Sequence, residues 1–181
     1  HKRTGWSSSG VFLKFSFNVS SNWQGHTSSI NKILYLTGAI GGGAGGGDPL
    51  FFILRGVGSA DMEFEAAHQN GSVTPVQYYY KWDRAANEVS PTEAQATITR
   101  DTWYTIKIHV ICNTPGVADG TIKVWINDVA ILQFTSALFI GAAQTALLNN
   151  IRWEPIWGGQ GGTVNAEMYQ YIGQFDVSVA P

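Results

Sequence analysis

Two segments of strict period-two alternation, joined through a turn, constrain this chain more than anything else in it. Trp103-Tyr104-Thr105-Ile106-Lys107-Ile108-His109-Val110 and Thr121-Ile122-Lys123-Val124-Trp125-Ile126-Asn127 both alternate, and Asp119-Gly120 lies between them. Successive side chains of a β-strand point to opposite faces, so the pair predicts an antiparallel hairpin with Tyr104, Ile106, Ile108, Val110, Ile122, Val124 and Ile126 in a core. Trp103, Lys107, His109, Lys123 and Trp125 then share the other face. Tryptophan among cations is not ordinary solvated surface. Flat rings stack on the C–H faces of sugars, and cations beside them hold hydroxyls or carboxylates.

The same period recurs along the chain. Val11, Leu13, Phe15, Phe17 and Val19 alternate with Lys14, Ser16 and Asn18. Short strands are further predicted at Lys32–Leu36, Leu50–Arg55, Asp61–Ala67, Val76–Trp82, Ala96–Thr99, Trp103–Cys112, Thr121–Asn127 and Gln174–Val179. Asn70-Gly71, Asp119-Gly120, Pro91 and Asn149-Asn150 supply turn chemistry. Only Ser136–Leu148 could hold a short helix. With 21 glycines and 13% aromatic residues in 181 positions, an all-β, two-sheet antiparallel jelly-roll sandwich is expected, residues 1–181 forming one domain.

Charge excludes several functions. Eleven Lys and Arg stand against 13 Asp and Glu, a net charge of −2, which gives no electrostatic footprint for nucleic acid or an anionic membrane. No apolar run reaches the roughly 18 residues of a membrane span. The single Cys112 excludes an intrachain disulfide, and its apolar strand makes it a buried, inert thiol. Asn18-Val19-Ser20 and Asn70-Gly71-Ser72 have the form of glycosylation acceptors. The chain begins at His1 rather than Met, as a processed or excised chain does. No cofactor is expected. Asp48, Asp119 and Asp176 lack the dense ligand spacing of a calcium loop, so a structural calcium ion has no motif behind it.

Two further stretches bear on function. Gly38 to Gly47 is a glycine-rich loop with no Lys-Ser/Thr or helix after it, so it is not a phosphate cradle. Trp157-Gly158-Gly159-Gln160-Gly161-Gly162 combines an aromatic ring with an amide, a pairing suited to a cleft rim. Asp61-Met62-Glu63-Phe64-Glu65 places three acids on one strand face, neighbours roughly 7 Å apart. Carboxylate pairs across a glycosidic bond need about 5–5.5 Å for retention or about 6.5–9.5 Å for inversion, so adjacent acids of this row are geometrically admissible.

The hairpin of residues 103–127, with Ser21-Asn22-Trp23-Gln24-Gly25-His26 before it and Ile156-Trp157-Gly158-Gly159 to Val177-Ser178 after it, resembles the concanavalin A-like lectin/glucanase superfamily over most of the chain. That resemblance implies a jelly roll with one ligand-bearing sheet. The acidic strand is similar to the Glu-x-Asp-x-Glu signature of laminarinase-type hydrolases, implying Asp61 as nucleophile, Glu63 as helper and Glu65 as acid/base. Here the first two acids are exchanged. The shorter Asp61 withdraws the attacking oxygen by more than about 1 Å, which catalysis tolerates badly.

A polysaccharide lyase would instead need a base such as His or Tyr near a group that neutralises a uronate, and His109, Lys107, Tyr169 and Tyr171 supply such types. The reading favoured is a non-catalytic, lectin-like module binding a polysaccharide through Trp103, Lys107, His109, Lys123, Trp125 and Trp157. A laminarinase-like hydrolase of β-glucan or a polysaccharide lyase is one alternative. A structural or adhesive surface protein, such as a virion decoration or filament subunit, is another. An extracellular or particle-surface location is expected, and self-association is left open.

Overall fold

The computed structural model describes residues 2–3, 8–38, 50–68, 77–79, 87–142, 148–158, 161–164 and 166–179. Among the described residues, twelve strands form two sheets. In chain order they are β1 (Lys2–Arg3), β2 (Gly10–Val19), β3 (Ile30–Gly38), β4 (Leu50–Arg55), β5 (Met62–His68), β6 (Gln77–Tyr79), β7 (Thr97–Ile98), β8 (Tyr104–Ile111), β9 (Gly120–Ile126), β10 (Val129–Ala137), β11 (Leu148–Trp157) and β12 (Gln170–Val179). The large sheet runs β1-β11-β3-β4-β5-β6, with β7 also on β5, and the small sheet runs β10-β9-β8-β2-β12. Every pairing among them is antiparallel. This is the jelly-roll sandwich that the alternation predicts.

The predicted inner face of β2 is the core face. Val11, Leu13, Phe15, Phe17 and Val19 are all at most 1% exposed. Phe15 joins the two sheets: its ring stacks on Phe175 of β12 at 5.5 Å and meets Trp153 of β11 edge-on at 5.9 Å. Opposite it, Leu34, Leu36, Phe52, Leu54, Met62 and Phe64 close the sandwich from the large sheet. The β8–β9 register is also as predicted, Lys107 pairing with Trp125 and His109 with Lys123.

Several elements differ from the sequence reading. Asp61 precedes β5 and is exposed, so the acidic row on the strand is Glu63 and Glu65 alone. Asn149-Asn150 is not a turn; it lies inside β11, which tolerates it through a register shift between Leu148 and Asn150. Ser136 and Ala137 complete β10 rather than start a helix. The described helix is Glu93–Ala96 (α1), closed by a capping box in which Thr92 and Gln95 bond each other's backbone. Residues 143–147, the glycine run from 39, Asn70-Gly71 and the flanks of β6 lie outside the described residues. Asn18 is 4% exposed within β2, which withdraws it from a glycosylating enzyme.

Candidate functional site on the large sheet

The outer faces of the two sheets differ in kind. On the small sheet, Lys107, His109, Lys123 and Trp125 do share one face, as predicted, and all are half-buried. Lys107 is ion-paired with the exposed Asp128. Phe12, Lys107, Trp125 and Asp128 line a shallow depression of about 230 Å³. His109 is held below the ordinary histidine pKa, first by burial and second by the Lys123 charge.

The other two predicted binding residues sit elsewhere. Trp103, 56% exposed, lies 6.3 Å from the Tyr171 ring beyond the start of β8. Trp157, at the end of β11, donates its indole N–H to the Gln24 carbonyl at 2.7 Å and meets His26 edge-on at 4.6 Å. The six residues therefore do not form one surface.

Part of the outer face of the large sheet is shielded from solvent. Tyr35, Phe51, Ile53 and Ala67 form a second buried cluster on the opposite side of the sheet from the core, Tyr35 at 6% exposure and Ile53 at none. Cross-strand register arranges this face in rows. One row runs Arg152, Tyr35, Phe51, Ala67 across β11, β3, β4 and β5. The next runs Ile156, Lys32, Ile53, Glu65, and a third pairs Arg55 with Glu63.

Charge gathers around the tyrosine of the first row. The Arg152 guanidinium stands 5.1 Å from the Tyr35 ring centroid and Lys32 Nζ 5.9 Å from it. Lys32 Nζ also lies 4.9 Å from the Phe51 ring. Glu154 is in ion-pair contact with Arg152 at 3.3 Å. Burial raises the Tyr35 pKa, the Glu154 charge raises it further, and Arg152 works against both. The phenol is thus held protonated with two cations beside it.

Of the acids singled out in sequence, Glu65 is 1% exposed and accepts from Arg55 Nε through both carboxylate oxygens at 2.7 Å. Glu63 is half-buried one pair further along. Those two bonds commit both carboxylate oxygens to Arg55 rather than to a substrate. Cys112 is half-buried and burial pushes its thiol up to about 11, so it is no nucleophile at neutral pH. Among the described residues no group of three His, Cys, Asp or Glu side chains is placed to hold a metal ion.

Tyr35, Lys32, Phe51 and Arg152 were not identified from the sequence. A signal was present: Ile33-Leu34-Tyr35-Leu36 and Leu50-Phe51-Phe52-Ile53-Leu54 are continuous rather than alternating apolar runs. Strands of that kind are buried on both faces.

No protein-family model and no curated protein matches the chain. Solved structures do. A variant of alginate lyase Aly36B in complex with alginate tetrasaccharide superposes with a TM-score of 0.67 at 18% identity, covering 99% of this chain and 73% of that one. The PL-14 alginate lyase from Aplysia kurodai gives 0.62 at 17% identity, with 96% and 70% covered. Endo-β-1,4-glucuronan lyase from Trichoderma reesei gives 0.60 at 14% identity, with 98% and 71% covered. The likeness is one of fold. It supports the jelly-roll sandwich and not the laminarinase-type assignment of Asp61, Glu63 and Glu65.

Proposed function

We propose that this protein recognises an acidic polysaccharide on the outer face of the large sheet and cleaves it by β-elimination. The observation that carries the reading is Tyr35, a buried phenol flanked by Arg152 and Lys32 on the outer face of the large sheet. Elimination from a uronate passes the proton beside the carboxylate to a base, for which water entering with the substrate serves, protonates and expels the glycosidic oxygen, and leaves a double bond; the proton held by that water then restores the donor. It therefore needs a cation on the carboxylate and a proton donor at the leaving oxygen. Arg152 and Lys32 suit the first role, and Tyr35, kept protonated, suits the second. Phe51 beside them offers an apolar ring for sugar C–H groups.

Fold neighbours acting on alginate and glucuronan make a uronate polymer the first substrate to try. An extracellular or particle-surface location belongs to the same proposal, since such polymers lie outside cells. The test is incubation with alginate and with glucuronan, following unsaturated sugar ends by ultraviolet absorbance. Tyr35→Phe is expected to lower kcat by at least about a hundredfold, the upper part of the range for a lost general acid being about 10⁴-fold. Arg152→Met is expected to raise KM as well. New reducing ends without unsaturation would make the protein a hydrolase. Binding without cleavage, lost in Trp125→Ala, would return the small-sheet face and the lectin-like reading.

A further inference from the structure

Both edges of the small sheet end in a long strand, and the chain treats them differently. At β10, the segment ahead of α1 covers the edge. Glu88 N–H donates to the Gln133 carbonyl at 2.8 Å and Asn87 Nδ2 to the Ile131 carbonyl at 3.2 Å. In return Asn87 Oδ1 accepts from Gln133 N–H at 2.8 Å and Glu88 Oε1 from Thr135 N–H at 2.9 Å. At β12 there is no such cover: among the described residues it pairs with β2 alone, and no hydrogen bond is made to its other edge. The strand is 10 residues long and carries one charge, Asp176. An unpaired edge of that length and character is a template for another strand, and proteins that keep such edges apart use lysine, proline or a covering segment.

The backbone of β2 shows which groups of β12 are free. Ser9 and Val19 accept at their carbonyls from Cys112 and Asp101, both on the β8 side. A residue's N–H and C=O point to the same side of a strand and alternate along it, so Phe12, Lys14 and Asn18 turn theirs to β12. Their partners Ser178, Asp176 and Tyr171 face β2 in return. Gln170, Ile172, Val177 and Val179 therefore direct N–H and C=O away from the sheet.

The side chains of these four residues lie on the core side of the sheet. They stand opposite Val19, Phe17, Leu13 and Val11, each at most 1% exposed. Yet Ile172 is 36% exposed and Val179 45%. The core thus runs out under β12, leaving apolar side chains uncovered beside free backbone groups. A further strand there completes both.

The free groups match a second copy of themselves. Antiparallel pairing of β12 with its own copy across a two-fold axis sets Ile172 opposite the partner's Val177 and Gln170 opposite the partner's Val179, each with its free groups turned to the other. The register shift between Gly173 and Asp176, where Gln174 has φ of 45°, then falls opposite itself. Asp176 faces the partner's Gly173, so like charges are not opposed. We infer that β12 is the contact of such a homodimer, in which the two small sheets join into one. Directly opposite residues share a face, so both large sheets lie on the same side of the joined sheet. One consequence rests on the proposed function: the dimer holds two polysaccharide faces side by side and gains avidity for a long polymer.

The experiment is sedimentation velocity of the intact protein from about 1 to about 100 μM, which brackets dissociation constants of that order. The expected result is a species of twice the monomer mass and none larger, since a two-fold contact closes. Ile172→Lys combined with Val179→Lys is expected to leave a monomer, as lysines on an edge do. Val117→Lys, at a residue 51% exposed between β8 and β9, is expected to leave the dimer intact. Register is read by oxidation. Ile172→Cys mixed with Val177→Cys should give a covalent dimer, because opposed Cα atoms about 5.5 Å apart suit a disulfide. Neither cysteine variant alone should do so, since neither residue opposes its own copy. The cross-link decides the matter even where the lysine variant fails to fold. A monomer at about 100 μM overturns the inference. So does a dimer that the two lysines leave intact, or a mixture that cross-links no more than either cysteine variant alone.

Discussion

Single side chains on the two outer faces are held by opposite means. Arg55 and Glu65 are joined by hydrogen bonds at 2.7 Å, with side-chain exposures of 31% and 1%. The pair's net worth is small, but removing one partner leaves the other charge inside the protein. Arg55→Ala is therefore expected to lose about 3 kcal/mol in urea unfolding, and Arg55→Leu with Glu65→Met to recover most of it. If the double variant is as unstable as the single one, the buried charge is not the cause. His109 on the small sheet is governed by desolvation first and Lys123 second. Its folded pKa is depressed, so the unfolded chain binds more protons below the ordinary value of about 6.5, and stability falls as pH drops through that window. Above it the contribution is complete. His109→Gln should flatten the stability profile below about pH 6.5; superimposable profiles for the two proteins would show that His109 is not the titrating group.

At the scale of elements, the hairpin β8–β9 was legible because nothing interrupts its alternation. β10 and β11 were not. Both carry register shifts, and β11 contains Asn149, Asn150 and Pro155, residues whose local chemistry signals turns. Tertiary pairing with β3 overrides that signal. The two-residue turn between β9 and β10 carries a weaker sequence signal, Asn-Asp rather than Asn-Gly, although Asn127 and Asp128 both take positive φ, 48° and 68°, as a type I′ hairpin requires.

The sequence around the glycines after Trp157 suits a cleft rim, and part of their role is steric. At Gly158, with φ of 86°, a Cβ would fall 2.0 Å from His26 Cγ, whereas at Gly161, with φ of 79°, it would meet nothing within 4 Å. Gly161→Ala should thus cost only the left-handed penalty of about 1–2 kcal/mol. Gly158→Ala should cost about 3 kcal/mol or more, because the His26 ring must also move. Equal melting points for the two variants would remove the close approach to His26 from the account.

For the whole molecule, the sequence makes the sandwich plain, because period two survives in β2, β8 and β9, three adjacent strands of the small sheet. The site was another matter. Arg152, Tyr35, Phe51 and Ala67 meet through pairings of four strands, and no local spacing encodes that row. What the sequence offered instead was a cationic, tryptophan-bearing face on the small sheet, which the structure assembles in part, and an acidic strand whose last member proves to be bound by Arg55. The central claim is that the outer face of the large sheet, around Arg152, Tyr35 and Phe51, is where an acidic polysaccharide binds. The most direct measurement is a crystal structure of Tyr35→Phe, slowed in cleavage, with an alginate or glucuronan oligosaccharide. The account predicts sugar rings across the Arg152–Tyr35–Phe51 row, with a carboxylate on Arg152 or Lys32. An oligosaccharide lying instead over Lys107 and Trp125, with the large-sheet face empty, would contradict it.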